Sequence, residues 1–457
     1  MRWIRFVPVA TASVIALPAT LASAQTAPAP PAPAPSAPAA STPPAPTSPA
    51  PATAEPPPAP AAPAPAPGAA EPAPAKPHWY DAITFGAFVD TYASINYNFP
   101  RPQTQTSGLG GNQFRGFDVT NGFALNWLGV DASYAPDPIG GAISLRLGPA
   151  AHLYNPNDAG YGLELVKQAF VSWKPGGASG TVTLDLGKWD QPYGSEVADT
   201  QLNIVYSRSL LFWYAQPLYF TGLRFDWAPT AALDFKLFAA NGWNESVSLN
   251  RGKTVGLQAN WKPSSSSLVS VGYTVGPQQV DTLVVTCPAG SAADASGACA
   301  SAANAPGGTT AVAIDRATSR MKHLADLVLD FTVAEKLRFL ANADFGAEDR
   351  PGASTTTWYG ANLAVRYAFD DVWSIAGRGE WLGDPDGWAT QTFKKNTNLV
   401  DGNLTLGWAP NANFVVKLEQ RLDWIDTDAG GALFQVGLNG TSQTQTTTML
   451  GVVAKTN

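Results

Sequence analysis

The sequence contains very little histidine and cysteine. Its 457 residues include three histidines and two cysteines. The histidines His78, His152 and His323 lie far apart in the chain, and none of them stands in a nucleophile motif. The cysteines, Cys287 and Cys299, have no histidine near them, so they do not provide the ligand spacing of a zinc site. We therefore predict that the protein is not an enzyme and that it has no metal and no cofactor.

Long apolar runs are also missing after residue 24. No uninterrupted apolar stretch beyond that point is long enough for a transmembrane helix, which excludes an all-helical membrane protein. Charged residues make up only 14% of the chain, and its net charge is −7. Nucleic acid is therefore not expected as a partner, because proteins that bind it carry a basic patch or stripe.

The first residues have the pattern of a secretory signal peptide. Arg2 and Arg5 precede a mostly apolar stretch over residues 6–21, and an A-x-A cleavage site ends at Ala24. A membrane anchor is the alternative, but the apolar stretch is short and two prolines interrupt it. We predict that residues 1–24 are removed and that the protein is exported. In an oxidising compartment, the two cysteines of the Ala/Gly/Ser-rich stretch are expected to form a local disulfide.

Residues 25–77 consist almost entirely of proline and alanine. Such a composition cannot build a hydrophobic core, and it favours extended polyproline II structure. Fully stretched, the segment would span on the order of 150 Å, at about 3.1 Å per residue. We predict a disordered linker that acts as a passive spacer or, alternatively, contacts peptidoglycan. The folded domain is then expected over residues 78–457.

Residues 78–457 contain about sixteen segments in which apolar and polar residues alternate with period two. In one of them Leu223, Phe225 and Trp227 share one face, and Arg224 lies on the other. A soluble sandwich would hide the apolar faces between two sheets, whereas a membrane barrel turns them to lipid. Each segment is roughly long enough to cross a bilayer as a tilted strand. We predict an all-β fold, a transmembrane antiparallel β-barrel of about sixteen strands.

The same alternation predicts two local details. The third strand is expected over residues 141–151. In the second strand, Asn126 falls on the same face as Leu128 and Val130, which indicates a β-bulge.

The connections between the predicted strands favour a barrel over a sandwich. Short turns alternate with long loops, as in outer-membrane barrels, which have short turns at one end and long loops at the other. At five of the short turns an aromatic residue stands two positions before a proline. Because aromatic rings prefer the headgroup level of a membrane, we predict that they form one interfacial girdle. The predicted girdle residues are Tyr134, Trp173, Trp227, Trp261 and Trp408.

Several short motifs follow one another in the first half of the predicted barrel. They are Asp90-Thr-Tyr92 with Asn96-Tyr-Asn-Phe99, Phe117-Asp118 with Asn121, Gln168-Ala-Phe-Val-Ser172, Asp185-Leu-Gly-Lys188, Tyr206-Ser-Arg-Ser-Leu-Leu-Phe212 and Asn241-Gly-Trp243. In this order they resemble the OmpL-like β-barrel porins of Gram-negative bacteria. The resemblance implies an outer-membrane porin, a transport channel. Barrels of this kind usually end in an aromatic residue, whereas this chain ends at Asn457.

The polar faces of the predicted strands carry charges of both signs. We predict that they line a water-filled lumen, because about sixteen strands enclose more space than side chains alone fill. The alternative is a lumen of ion pairs that only satisfy each other. The mixture of signs leaves the ion selectivity open. The predicted pore-lining residues are Asp90, Arg146, Asp185, Arg224, Asp226, Asp234, Lys236, Asp344, Arg366, Arg378, Glu380, Lys417, Glu419 and Arg421.

The connection over residues 190–216 is too apolar for a loop that lies in water. The centre of this connection, Tyr206-Ser-Arg208-Ser, runs directly into Leu-Leu-Phe-Trp-Tyr. We predict that it folds into the lumen and narrows it, with Tyr206 and Arg208 as constriction residues and Arg208 facing the pore. Packing on the barrel rim or at a subunit interface is the alternative.

Together these features favour an outer-membrane porin through which small hydrophilic solutes diffuse passively. Two other functions stay open, a structural or adhesive barrel tethered to the cell wall and an outer-membrane hydrolase with a Ser/His/Asp site assembled across strands. The expected partners are outer-membrane lipid, small polar solutes, peptidoglycan through the linker, and two further copies in a homotrimer. The expected location is the outer membrane of a Gram-negative bacterium.

Overall fold

The computed structural model describes most of the chain after the Pro/Ala-rich segment. The described residues are 79–102, 111–280, 282–286, 311–315, 320–350, 354–428 and 430–456. The predicted signal peptide, the predicted linker and the predicted disulfide between Cys287 and Cys299 all lie outside them.

Sixteen of the strands form one closed antiparallel barrel, which confirms the predicted fold class. The strands are β1 Ile83–Asn96, β2 Gly122–Tyr134, β3 Ile139–Leu147, β4 Val166–Trp173, β5 Val182–Asp190, β6 Tyr219–Thr230, β7 Leu233–Ala240, β8 Thr254–Ser264, β9 Ser267–Pro277, β10 Thr282–Thr286, β11 Ala311–Asp315, β12 Met321–Val333, β13 Leu337–Glu348, β14 Thr356–Ala368, β15 Trp373–Asp384, β16 Thr397–Asn411, β17 Phe414–Asp426, β18 Phe434–Val436, β19 Gly440–Ser442 and β20 Thr444–Lys455. β20 pairs with β1 to close the ring, while β10 with β11 and β18 with β19 form two small separate sheets.

The barrel exposes its apolar faces and turns its polar faces inward. On β6, Leu223, Phe225 and Trp227 are exposed, whereas Arg224 between them is half-buried on the inner face. The same alternation runs through the other barrel strands, because successive side chains of a strand point to opposite faces. This distribution is the reverse of a soluble sandwich, whose apolar faces would be sealed between two sheets.

The barrel has a short-turn end and a long-loop end. Tight turns join alternate pairs of strands, from β2–β3 to β16–β17, at the end where β1 begins and β20 finishes. Longer connections at the other end include residues 97–121, 191–218 and 427–443. The predicted alternation of short and long connections is therefore confirmed.

The third strand is shorter than expected. β3 ends at Leu147. The residues that were predicted to finish this strand instead begin the helix α1, Pro149–Tyr154. Gly148 has a φ of 129°, a backbone conformation that glycine tolerates, and Pro149 then supplies a φ suited to the first turn of a helix. The prediction of a strand over residues 141–151 was wrong because it continued the alternation of apolar and polar residues across Gly148 and Pro149.

The predicted bulge at Asn126 is confirmed. The pairing of β1 with β2 shifts so that Asp90 faces Trp127 while Thr91 faces Leu125, which leaves Asn126 without a partner on β1. The extra residue turns the Asn126 amide inward, where its Nδ2 donates to Asp90 Oδ2 at 2.8 Å.

In the described part of the chain, helical structure occurs in short segments before β1 and in the connections between strands. They are the 3₁₀ turns Trp79–Ala82, Ala159–Tyr161, Gly177–Ser179 and Thr200–Leu202, the helix α1, and a π-helical turn over Leu211–Ala215. No helix among the described residues has the length and apolar character needed to span a bilayer.

Candidate functional site

The connection between β5 and β6, residues 191–218, enters the barrel and is called the crossing loop below. β5 and β6 are neighbours in the ring of strands, and β15, β16 and β17 lie on the opposite side of it. The crossing loop forms hydrogen bonds with side chains of β15 and β17. It therefore spans the lumen from one wall to the other.

Lys417 on β17 binds the first part of the crossing loop through backbone oxygens. Its Nζ donates to the carbonyls of Thr200, Asn203 and Val205 at 2.9, 2.6 and 3.1 Å. All three protons of the ammonium group therefore have an acceptor on the loop.

The next two inward residues of β17 bind the centre of the loop. The Oε2 atom of Glu419 accepts the backbone N–H groups of Tyr206 and Ser207 at 2.8 and 3.3 Å. The Nη1 atom of Arg421 donates to Ser207 Oγ at 3.0 Å and to the Arg208 carbonyl at 2.8 Å. Lys417, Glu419 and Arg421 are alternate residues of one strand, so the period of the strand places all three on the face that meets the loop.

Two residues of β15 continue the row of anchors. Arg378 Nη1 lies 2.5 Å from Oε1 of Glu196, near the start of the crossing loop. The carboxylate of Glu380 accepts the N–H groups of both Leu210 and Leu211 at 2.7 Å. Charged groups bonded in this way form stronger hydrogen bonds than neutral pairs, so this wall holds the loop firmly.

On the β1 side, the crossing loop is held by one buried carboxylate. Asp90 accepts hydrogen bonds from the hydroxyls of Tyr206 and Thr200, both at 2.8 Å, in addition to the Asn126 amide. The Tyr206 ring lies against Gly451 of β20, where a Cβ atom would come within 2.0 Å of the ring. The absence of a side chain at Gly451 therefore makes room for this tyrosine.

A third set of contacts reaches β12 and β13. Asp326 Oδ2 accepts the backbone N–H of Gly194 at 3.1 Å, near the start of the loop. The amide of Gln216, near its end, donates to Asp344 Oδ2 at 2.7 Å. Asp326 and Asp344 face each other directly across the two strands, so both ends of the loop attach to the same place on the wall.

Apolar side chains fill the barrel interior around the crossing loop. Leu210 and Leu211 are fully buried within a cluster that includes Trp189 of β5 and Trp358 of β14. A second cluster places Phe212 of the loop among aromatic residues from the first loop, β2 and α1. That cluster contains Phe88, Phe117, Trp127, Ala150, Tyr154, Ala198, Phe212, Leu218, Tyr219 and Val453.

Cavities lie on both sides of the crossing loop. One, of about 260 Å³, lies between residues 201–204 of the loop and the short-turn end of β13–β17. Another, of about 370 Å³, lies between Trp213 and Tyr214 of the loop and the long-loop end, where His152 and Asn244 line it. The loop therefore stands between two spaces that open toward opposite ends of the barrel.

The predicted pore-lining residues fall into two groups. The first group is buried by the crossing loop, by α1 or by neighbouring wall residues. It consists of Asp90, Arg146, Asp185, Asp344, Arg378, Glu380, Lys417, Glu419 and Arg421. The second group is half-buried on the inner wall toward the short-turn end. It consists of Arg224, Asp226, Asp234, Lys236 and Arg366.

Arg208 differs from its expected orientation toward the pore. Its guanidinium is 1% exposed and binds inside the loop, with Nε donating to the Ala198 carbonyl at 3.1 Å and Nη1 to the Tyr206 carbonyl at 2.7 Å. The Arg208 guanidinium also lies over the Phe117 ring, 5.1 Å from its centre. Arg208 thus joins two parts of the crossing loop. Sequence reasoning placed it in the loop but had no signal for its internal partners.

Asp199 of the crossing loop is bound by two basic side chains of the barrel wall. Arg146 Nη2 and Lys167 Nζ lie 2.9 and 3.2 Å from its Oδ2. Burial by itself raises the pKa of Asp199, but the two cations outweigh it and lower the pKa to about 2. The Asp199 carboxylate is therefore charged at neutral pH and anchors the loop to β3 and β4.

The predicted girdle residues lie near the short-turn end of the barrel. Tyr134, Trp173, Trp227 and Trp261 are exposed on its outer face. Trp408 is half-buried, because it pairs with Trp373 and their ring centres are 6.2 Å apart. Trp373, exposed at the start of β15, was missed because no proline follows it. The available signal was that Trp373 stands at the start of a predicted strand, on its apolar face.

The described part of the chain shows no metal-binding cluster. No cluster of three or more His, Cys, Asp or Glu residues there could hold a metal ion. His323 Nδ1 lies 2.7 Å from the Tyr273 hydroxyl. No hydrogen bond within these residues joins either described histidine to a serine.

A family model and two solved structures are similar to this chain. The family described as "Putative beta-barrel porin-2, OmpL-like" matches residues 82–455. An anion-selective porin from Comamonas acidovorans matches with a TM-score of 0.52 and 11% identity, over 82% of this chain and 99% of that one. The outer membrane channel DcaP of Acinetobacter baumannii gives 0.51 and 10%, over 82% and 97%. These two likenesses show the fold alone. No curated protein matches the sequence.

Proposed function

The chain belongs to the OmpL-like β-barrel porin family and is an outer-membrane porin, and from this premise we propose that small hydrophilic solutes diffuse passively through a lumen narrowed by the crossing loop. The protein is a channel rather than an enzyme. The solutes move down their own concentration gradients.

The observation that carries the proposal is the attachment of the crossing loop to the wall opposite its own strands. Lys417 donates hydrogen bonds to residues 200–205, and Glu419 and Glu380 accept hydrogen bonds from residues 206–211, which holds this part of the loop across the lumen. A segment held there reduces the open cross-section between the two cavities. The route left to a solute is therefore set by the loop rather than by the barrel diameter.

The predicted pore-lining residues take two roles in this proposal. The buried anchors fix the loop, and the half-buried residues Arg224, Asp226, Asp234 and Lys236 line the water-filled space beyond it. Asp226 and Asp234 lie within ion-pair distance of Lys236, at 3.9 and 2.7 Å. Opposite charges on one wall orient a polar solute without trapping it.

Tyr206 and Arg208 act as constriction residues by stiffening the loop. Arg208→Ala removes the bonds to the Ala198 and Tyr206 carbonyls, and each lost charged hydrogen bond destabilises the loop by roughly 1–3 kcal/mol. We expect a larger and noisier single-channel conductance in planar bilayers.

The matched control is Lys236→Ala, which removes a cation from the inner wall without touching the loop. It should alter ion selectivity more than open-channel noise. Conductance and noise of Arg208→Ala equal to those of the unaltered protein would remove Arg208 from the constriction.

The surroundings of the channel complete the proposal. The girdle of Tyr134, Trp173, Trp227, Trp261 and Trp408 lies at the headgroup level of the outer-membrane lipid. Residues 1–24 are cleaved on export, the linker 25–77 reaches toward peptidoglycan, and Cys287 forms a disulfide with Cys299. Three copies associate as a homotrimer.

A further inference from the structure

Two arginines face each other on the inner wall near the short-turn end. Arg338 of β13 and Arg366 of β14 are directly opposed in the register of the two strands. Both lie on the face that carries Asn342 and Asn362, which is the lumen face. Like charges at directly opposed positions destabilise a sheet, because their Cβ atoms are only about 5 Å apart. A negatively charged group close to both arginines would relieve this repulsion.

Among the described residues, carboxylates neutralise only one of these two arginines. Arg338 binds Asp330 through two hydrogen bonds, at 2.9 and 2.8 Å. Arg366 has no carboxylate within ion-pair distance in the described part of the chain. It is half-buried, so water screens its charge less than it would at a free surface. One guanidinium of the pair therefore keeps unused donors.

A third basic residue, Lys417, lies beside the two arginines. Lys417 lines the same cavity and donates its three protons to backbone carbonyls. Among the described residues no carboxylate lies within ion-pair distance of its Nζ. Lys417 therefore lines the cavity without a free donor, and the donors open to an anion are those of the arginines.

The space between these groups has the size and lining for a small polar anion. The cavity of about 260 Å³ is bounded by Arg338, Arg366 and Lys417, with the polar side chains of Asn203, Ser374 and Thr405. Asp371 also lines it, but Asp371 stands in the exposed turn between β14 and β15, where water screens its charge. Apart from Asp371, the charged side chains of the lining are therefore basic, and polar side chains stand beside them.

We propose that Arg338, Arg366 and Lys417 form a binding subsite for a small oxyanion, either a phosphate or the carboxylate of a solute in transit. The planar guanidinium of Arg366 binds two oxygens of such a group at once. The bound anion also relieves the repulsion between the two arginines. The proposal rests on the proposed channel function, and it places the subsite between the crossing loop and the short-turn end.

The first test measures block of the channel by inorganic phosphate. The full-length protein is reconstituted in planar bilayers in KCl, and phosphate or succinate is added to either side. We expect a saturable decrease in single-channel current that is stronger from the side of the short turns. Arg366→Gln should raise the concentration for half-block by about tenfold, as expected for one lost charged hydrogen bond. Arg366→Lys, which keeps the charge but lacks the fork, should give an intermediate value.

The matched control is Arg224→Gln on the wall formed by β6. Arg224 is also an inward arginine, but it is paired with Asp185 at 2.7 Å. Its loss should raise the half-block concentration much less than Arg366→Gln does, because it changes the charge of the lumen but not the subsite. An equal effect of both substitutions would overturn the subsite, since it would show that block follows the total charge of the lumen.

The outcomes separate the subsite from the channel. Normal KCl conductance without block by phosphate or succinate overturns the subsite and leaves the porin function intact. If the unaltered protein carries no current, the proposed function fails, and calorimetric titration of the detergent-solubilised protein with phosphate then tests the subsite. Heat-modifiable mobility on gels verifies that each variant folds. Block by phosphate but not succinate, or the reverse, identifies which oxyanion the subsite binds.

Discussion

At the residue scale, charged side chains of β15 and β17 bind the backbone of the crossing loop. Lys417 meets three carbonyls, while Glu380 meets two N–H groups of the loop. These groups were removed from water on folding, so each of them depends on its hydrogen bonds for compensation. Loss of one anchor leaves the backbone atoms of the loop that it bound without partners. The loop and the wall therefore stabilise each other.

The buried carboxyl group of Glu245 should make the stability of one loop depend on pH. It lies in the connection between β7 and β8, is 3% exposed, and accepts the Leu249 N–H at 3.2 Å. Burial raises the pKa of Glu245 from 4.5 to about 7. The folded loop therefore holds a proton that the unfolded loop releases. Local stability is complete below pH 4.5, and it falls as the pH rises toward 7.

Amide hydrogen exchange of residues 241–253 measures this effect. After correction for intrinsic rates, we expect weaker protection at pH 7.5 than at pH 5. Glu245→Gln should abolish the difference, because the amide stays neutral throughout. Glu335→Gln, in the exposed turn after β12, serves as the control. A pH dependence that persists in Glu245→Gln would refute the assignment.

At the element scale, glycines in the barrel strands receive the aromatic side chains of the crossing loop. Gly451 of β20 lies beneath Tyr206, and Gly256 and Gly272 of β8 and β9 lie beneath Tyr193. In each case a Cβ atom on the glycine would come within 2.5 Å of the tyrosine. These glycines thus leave space for the two tyrosine rings on two separate sides of the crossing loop.

Gly451→Ala should displace the crossing loop without disturbing the barrel. The added methyl group would overlap the buried Tyr206 ring, which cannot move aside as the end of a flexible chain would. We expect higher conductance in planar bilayers and faster proteolysis within residues 191–218. Gly402→Ala is the matched control, because nothing lies within 4 Å of a Cβ at that exposed strand position. Identical behaviour of the two variants would contradict the seating of Tyr206 on β20.

At the scale of the whole molecule, the barrel is closed by its first and last strands. β1 and β20 pair over nine positions, from Phe88↔Lys455 to Asn96↔Thr447. The barrel takes its first strand from residues 83–96, and so no residue of the predicted linker is needed for closure. The apolar outer face, exposed all around, requires lipid or detergent.

Deletion of residues 25–77 should therefore leave the barrel intact. We expect unchanged heat-modifiable mobility on gels and unchanged single-channel conductance, because the ring of strands and the crossing loop are both retained. Sedimentation with isolated peptidoglycan should fall if the linker is the tether. A lower conductance after the deletion would show that the linker belongs to the channel. The predicted cleavage is verified if the mass of the exported protein is lower than that of the full chain by the mass of residues 1–24.

Local alternation was enough to predict the strands and one irregularity. Period two identified sixteen strands, and the parity of Asn126 revealed the bulge that turns its amide toward Asp90. The end of β3 was mispredicted, since Gly148 and Pro149 change the backbone direction without interrupting the apolar pattern. These successes and this error share one cause, which is that the alternation reports only on neighbours along the chain.

The sequence by itself determined the barrel class, the alternation of turns and loops, and the porin family, because each depends on the order of residues within single hairpins. The apolar run after Tyr206 also indicated a loop that avoids water. Only the tertiary structure decided that Lys417 and Glu380 hold this loop from the opposite wall, and that Arg338 faces Arg366. Closure of the ring and the register of each strand pair bring together residues distant in sequence, and no local pattern records which of them meet.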